Sequence, residues 1–188
     1  ANHIINLIEE SDRKDVQIVC FPELSITAYT CADLFMQSVL LTSAQNELHR
    51  ILNETKSTSV VFIVGLPIIQ NNRLFNVAVV CQSGGILGCV PKMYIPNYNE
   101  FYEKRWFTSG KDATKDTIEI CGETVPFKSQ LLFGNEEFKF AVEICEDLWV
   151  PNSPSSAHAL HGAQIIFNLS TTNDLSGKND YLKKLIQL

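Results

Sequence analysis

The sequence has no run of basic residues and no apolar stretch approaching the roughly 18 residues of a membrane span. Surfaces built to hold nucleic acid or an anionic bilayer are therefore not expected, and a formal net charge of −6 points the same way. No secretory leader is expected either, because Glu9 and Glu10 interrupt any hydrophobic region near the start. No two of the six cysteines form a CxxC pair, which argues against a zinc site. Repeats and low-complexity segments are also lacking. The chain shows no initiating methionine. The amphipathic pattern of Tyr181, Leu182, Leu185, Ile186 and Leu188 stops with no Gly or Pro after it. Both features predict a segment of a longer protein.

What is present is ordinary globular material. With 188 residues, 45% apolar and 19% charged, the chain can build one domain with a sizeable core. An even cysteine count permits disulfides, but such a core does not need them. Cys20, Cys81 and Cys145 lie in apolar, strand-like runs. The expectation is reduced, mostly inert thiols and a cytoplasmic location.

Apolar spacing predicts a helix to about Arg13, with Ile4, Ile5 and Ile8 on one face, and a second helix over roughly 40–56. Val16 to Phe21 reads as a buried strand ending at Pro22-Glu23, and Val60 to Val64 as another ending at Gly65. A short helical piece is expected at Ala32 to Met36. Strands follow at Phe75 to Gln82 and Ile86 to Val90, with turns at Asn71-Asn72 and Gly84-Gly85. Met93 to Gly110 reads as loop. Short strands are expected at Ile118 to Cys121, Gly122 to Pro126 and Gln130 to Phe133, then a strand to Cys145, a helix near Ser155 to His161 and a buried strand at Ala163 to Leu169. Helices alternating with buried strands indicate a layered α/β domain.

The alternation of Phe138, Phe140, Val142 and Ile144 runs straight into Cys145, Glu146 and Asp147, with helix-start chemistry at Pro151, Ser153, Pro154 and Ser155. A nucleophile on a sharp strand-to-helix turn is exposed at a sheet end, where backbone N–H groups can stabilise an oxyanion. A free cysteine is ordinarily a small buried hydrophobe, and two acidic neighbours oppose thiolate formation. A reactive Cys145 therefore needs a positive charge from elsewhere. Other strands end on Glu23 and on Lys92. Strand ends on one side of an α/β sheet are where such folds place their sites. A Glu, a Lys and a Cys gathered there supply a base, a cation and a nucleophile. His158 and His161 follow Cys145 closely, but on a short helix expected to face away from the thiol. Asp147 reads as a cap on the turn through backbone N–H groups, and Lys104 and Arg105 as a solvated or interface edge.

FPELSITAY around Glu23, PKMYIPNYNEFYEKRWF around Lys92 and EICEDLWVPNSP around Cys145 resemble the three signatures of the nitrilase, or carbon–nitrogen hydrolase, superfamily. Within it, IPNYNEFYEKRWF and ICEDLWVPNSP most resemble the glutamine amidotransferase domains joined to ATP-dependent NAD synthetase domains. The resemblance covers nearly the whole chain. It implies a four-layer αββα sandwich, incomplete here, with a strand before Ala1 and further strands after Leu188. Glu23 is implied as base, Lys92 as oxyanion-stabilising cation and Cys145 as nucleophile on the side-chain amide of glutamine. Glu103 matches the family's additional active-site glutamate, with Glu100 the alternative.

Substrate contacts implied by the resemblance are Tyr29, Tyr98, Phe101 and Glu146, the last facing the substrate ammonium. Thr172 stands where the family more often has Ser, and Lys178 where Arg is commoner. Lys178 keeps the charge but not the planar fork for a carboxylate. No cofactor is implied for this domain. ATP, Mg and deamido-NAD belong to a C-terminal synthetase domain of which the sequence holds no sign, since Ser83-Gly84-Gly85 reads as a hairpin turn and not a pyrophosphatase loop. That domain would receive the ammonia, and the family commonly assembles as homo-oligomers. A stand-alone amidase or nitrilase, and a non-catalytic binding scaffold, are the alternatives.

Overall fold

In the computed structural model, which describes residues 1–173 and 175–187, the apolar spacing at the start becomes α1 (Asn2–Arg13), burying Ile4, Ile5 and Ile8. β1 (Ile18–Cys20) follows, then a 3₁₀ segment over Tyr29–Met36 that is kinked at Ala32 by a φ of 50°. α2 (Ser38–Glu54) buries Leu41, Ala44, Leu48, Ile51 and Leu52, the stripe its spacing requires. Next come β2 (Val61–Gln70), β3 (Arg73–Gln82) and β4 (Gly85–Pro91). Asn71-Asn72 and Ser83-Gly84 sit at positive φ between them, the backbone of tight hairpin turns. The second turn falls one residue earlier than expected, because Gly85 already pairs with Gln82.

Beyond Pro91 the expected loop contains a small hairpin, β5 (Asn97–Tyr98) and β6 (Phe101–Tyr102), and 3₁₀ turns at Glu103–Arg105 and Gly110–Asp112. β7 (Thr117–Ile120) and β8 (Glu123–Pro126) form a separate hairpin. β9 (Leu132–Gly134), β10 (Lys139–Ile144), α3 (Pro154–Leu160), β11 (Ile165–Leu169) and α4 (Lys178–Ile186) complete the fold. Leu188, part of the terminal apolar pattern, lies outside the described residues.

The first main sheet has the order β1-β2-β3-β4, with β1 parallel to β2 and the other pairs antiparallel. The second has the order β11-β10-β9, with β10 parallel to β11. Ile63, Ala78, Val80 and Val90 of the first sheet pack against Phe133, Phe140, Val142 and Ile144 of the second. The other face of the first sheet, through Phe62, Val64, Val77 and Val79, meets the apolar stripes of α1 and α2. α3 lies on the far face of β10, where the Ser155 N–H donates to Glu143. The layers of this mixed α/β fold thus run helices, sheet, sheet, helix.

Most strands shift by a residue or two from their expected bounds. Ala163 to Leu169 reads as a buried strand, yet β11 starts at Ile165 and buries only Leu169. The two other clear departures are β1 and β2. Val16 to Phe21 has the composition of a buried strand, yet β1 covers three residues, is only half-buried and forms the edge of its sheet. Gly65 reads as the end of its strand, yet β2 runs through it and through Pro67 to Gln70. β1 ends opposite Ile63, so beyond that point β2 has one strand neighbour and the missing N–H of Pro67 removes no bond toward β1. Gly65 itself is a point of close approach. The Ile26 N–H donates to its carbonyl, the Gly65 N–H donates to Ser25 Oγ, and a Cβ there would collide with the Leu24 backbone nitrogen.

Gly65 therefore sets where the Glu23–Leu24 turn can sit. Gly65→Ala is expected to destabilise the fold by about 1–3 kcal/mol through overpacking and to displace Glu23. Urea unfolding together with the rate of Cys145 alkylation checks this. An unchanged unfolding midpoint would show that the close approach is not maintained.

Candidate active site

β1 and β4 run in the same direction, because β1 is parallel to β2 and β3 is antiparallel to both its neighbours. Their C-terminal ends therefore deliver Glu23 and Lys92 to the same end of the first sheet. β10 and β11, parallel to each other, deliver Cys145 and Ser170 from the second. The two sets meet there. The Thr171 N–H, just past β11, donates to Glu23 Oε2 at 3.2 Å, and Thr171 Oγ1 donates to the Glu23 carbonyl at 3.2 Å.

At the centre is the Lys92 ammonium, 0% exposed. It donates to Glu23 Oε1 at 2.7 Å and to the two oxygens of Glu103 at 2.8 and 2.9 Å. Glu23 and Glu103 are also buried. Glu23 Oε1 takes a second bond from Asn76 Nδ2 at 2.7 Å, and Glu103 Oε1 one from the Tyr29 hydroxyl at 2.7 Å. Burial works to lower the Lys92 pKa, but Glu23 and Glu103 outweigh it and hold the ammonium charged, above the usual lysine range. Burial pushes Glu23 up, Lys92 pulls it down and Glu103 pushes it up again, so its carboxyl titrates above the ordinary glutamate value. Two carboxylates facing one ammonium leave the cluster a proton short of neutrality.

Cys145 has φ of 44°, in the left-handed region that a residue with a Cβ seldom adopts. Such strain costs on the order of 1–3 kcal/mol and is found where a side chain must be aimed. The chain turns directly into a 3₁₀ segment over Cys145–Leu148, so the elbow comes before, and separately from, α3. Burial and then Glu23 push the thiol up to about 11, with Lys92 and the Ser170 hydroxyl acting in the opposite sense. Ser170 Oγ lies 3.5 Å from Sγ as its donor. The thiol therefore rests protonated at neutral pH and needs an acceptor as it reacts. Glu23 Oε1 is already filled by Lys92 and Asn76. Oε2, which holds the Thr171 N–H alone, is the oxygen with a free lone pair.

The remaining expected residues make the following contacts. The Tyr98 hydroxyl donates to Glu146 Oε2 at 2.7 Å, and the Phe101 ring stands edge-on to Tyr98, with centroids 5.9 Å apart. Burial and Glu146 raise the Tyr98 pKa, which keeps it a donor. Thr172 accepts from Lys178 Nζ, which also donates to Asn173 Oδ1 at 2.7 Å and lies 5.5 Å from the centre of the Trp149 ring. Glu100 is exposed and bonded to Asn173, away from Lys92, so Glu103 is the glutamate that joins the cluster.

His158 is buried on α3 with its Nε2 unpartnered, and His161 Nδ1 bonds the carbonyl of Ala157 on the same helix. Arg105 forms a two-pronged pair with Asp33 at 2.6 and 2.8 Å, both side chains exposed. All six cysteines are unpaired thiols. Among the described residues, no group of three or more His, Cys, Asp or Glu could hold a metal ion, and no helix is long and apolar enough to cross a membrane.

Sequence reasoning missed Asn76, Ser170 and Thr171. Asn76 was detectable as the one polar side chain inside the run FNVAVV, and the two hydroxyls as the residues immediately after a strand that neighbours the one carrying Cys145.

Glu23→Gln removes a charge that opposes thiolate formation. The pH midpoint for Cys145 alkylation is therefore expected to move down, with faster reaction toward iodoacetamide at about pH 8. An unmoved or raised midpoint would mean that Glu23 and the thiol do not sense each other. Lys92→Met, which strands two buried carboxylates, is expected to cost about 3–5 kcal/mol in chemical unfolding.

Residues 1–182 match the carbon-nitrogen hydrolase family model. The chain is 40% identical over 173 residues to the glutamine-dependent NAD(+) synthetase of Mycobacterium tuberculosis (strain ATCC 25618 / H37Rv), covering 90% of this chain and 25% of that protein. It is 32% identical over 184 residues to the enzyme of the same name from Aquifex aeolicus, covering 96% and 29%. A crystal structure of a glutamine-dependent NAD(+) synthetase from Cytophaga hutchinsonii superposes with a TM-score of 0.83 at 27% identity, over 97% of this chain and 29% of that one. The chain thus spans about a quarter of the length of the curated relatives it matches. With the three signatures and one matching family model across almost all its residues, this chain belongs to the carbon–nitrogen hydrolase family.

Proposed function

We propose that this chain is a glutamine-hydrolysing domain that releases ammonia through a thioester on Cys145. The ammonia would feed an ATP-dependent synthetase domain that converts deamido-NAD to NAD. The observation that carries the chemistry is the buried Lys92 ammonium between Glu23 and Glu103, at the strand ends that also deliver Cys145. The similarity to glutamine-dependent NAD(+) synthetases supports the substrate and the destination of the product.

The thiol attacks the side-chain amide carbon of glutamine while Glu23 Oε2 takes its proton. This transfer removes the second negative charge from the cluster, so Lys92 is left with Glu103 and can turn toward the developing oxyanion. One Lys92 N–H shared between the two oxygens of Glu103 leaves another free for that contact. Glu23 then returns its proton to the leaving nitrogen, and ammonia departs. Water, deprotonated by Glu23, cleaves the thioester to glutamate and restores the thiol. Glu103 keeps Lys92 charged and placed throughout, with Tyr29 holding Glu103.

Glu146, anchored by Tyr98, would receive the α-ammonium of glutamine, with Phe101 as an apolar wall. Thr172 and Lys178 would face its α-carboxylate. Lys178 already has acceptors in Thr172 and Asn173, which suits a positioned cation more than a mobile one. ATP, Mg and deamido-NAD would bind outside this chain. A homo-oligomeric, cytoplasmic enzyme is part of the same reading.

In the full-length protein, Cys145→Ala is expected to abolish ammonia release from glutamine while leaving NAD formation from added ammonium intact. Glu146→Gln is expected to raise the KM for glutamine by roughly 10- to 100-fold, the worth of one hydrogen bond to a charged group. Glutamine turnover unaffected by Cys145→Ala would refute the reading.

A further inference from the structure

The two sheets meet through apolar side chains, and apolar contact is non-directional. It does not by itself fix how far Cys145, carried by β10, stands from Lys92, carried by β4. A directional link does so at the site. Asp147, two residues after the nucleophile, is 1% exposed and spans the gap between the sheets. Its Oδ1 accepts the N–H of Met93 at 3.0 Å and of Tyr94 at 2.8 Å, the two residues that follow Lys92. Its Oδ2 accepts the N–H of Ile144, the residue before Cys145, at 3.1 Å, with Met93 N also 3.4 Å away.

One carboxylate thus grips backbone on both sides of the site, adjacent in sequence to the cation and to the nucleophile. Lys92 is otherwise tied into its own sheet, its N–H bonding the Asn76 carbonyl and its carbonyl accepting from Gly110 N at 2.7 Å. The elbow's other tie toward that side joins two side chains, the Tyr98 hydroxyl on Glu146 at 2.7 Å, whereas Asp147 holds backbone on both sides. Asn168 meets the Cys145 carbonyl only at 3.4 Å, from within the second sheet. Both Asp147 oxygens are occupied by these donors, so the carboxylate does not reach the reacting atoms.

We infer that Asp147 is a positioning residue that sets the register of the Cys145 elbow against the Lys92 strand end, and with it the charge that the thiol feels. Capping the elbow alone would need only the Ile144 bond. The bonds to Met93 and Tyr94 serve the distance between sheets. Substitution should therefore alter chemistry at Cys145, and not simply stability.

Asp147→Asn preserves volume but necessarily turns an N–H₂ group against one of the backbone donors. The full-length variant is read in two ways, each normalised to reactive sites by titrating Cys145. The pH midpoint for iodoacetamide alkylation is expected to rise by about one unit as Lys92 loses its hold on the thiol. The kcat for glutamine is expected to fall about 100-fold, as for a displacement near 1 Å, with KM changed less than about threefold. Asp147→Thr, which keeps one acceptor for the elbow but cannot span to Met93 and Tyr94, should behave alike and serves if the amide variant does not fold. A residue that only supports folding would lower the melting temperature and the number of reactive sites, leaving midpoint and kcat per site at wild-type values. That result in either folded variant overturns the inference.

The kinetic arm rests on the glutaminase reading, whereas the alkylation arm does not. A shifted midpoint alongside a wild-type protein that does not hydrolyse glutamine would refute that reading and leave the role of Asp147 standing.

Discussion

A lysine ammonium withdrawn from water between two glutamates is the interaction on which the site depends. Taking such charges out of solvent costs several kcal/mol per ion, and attraction offsets this only when geometry and further hydrogen bonds are good. Here the further bonds are present: Asn76 and Thr171 on Glu23, and Tyr29 on Glu103. The partners come from five separate segments of the chain. Breaking any one exposes the others to the full desolvation cost, so the cluster constrains the fold as much as the fold positions the cluster.

The same constraint explains the resting chemistry. One positive charge facing two carboxylates cannot also stabilise a thiolate, and Cys145 accordingly rests protonated in a buried setting. In the proposed mechanism, activation comes with reaction, when the proton passes to Glu23 and the cation is released toward the oxyanion. A cysteine kept neutral until its substrate is seated is protected from oxidation and adventitious alkylation. The strained backbone at Cys145 and the grip of Asp147 then matter for aim, since the proton acceptor and the cation sit on the opposite sheet.

Most of this was legible in the residues because each component ends a recognisable strand. Glu23, Lys92 and Cys145 could be paired before any geometry was known, and Glu103 followed from a resemblance in the segment after Lys92. The difficulty posed by Glu146 and Asp147 beside the thiol resolves in space: Glu146 turns to Tyr98, and Asp147 turns inward to backbone N–H groups. What stayed hidden depended on long-range approach. Gly65 and Pro67 look like strand breakers until the shortness of β1 makes them tolerable, and the apolar run from Val16 does not reveal that it lies at an edge. Thr171 reaches Glu23 across 148 positions of sequence, and no local pattern encodes that contact.

In the proposed reaction Cys145 forms a covalent acyl intermediate, its proton taken up inside this cluster. Rapid acid quench of the full-length protein turning over glutamine, followed by mass analysis of the Cys145 peptide, tests it most directly. A γ-glutamyl adduct on Cys145 is expected to appear with the first ammonia released and to decay as glutamate forms. Ammonia release with no adduct at any time, or with the adduct on another residue, would contradict it.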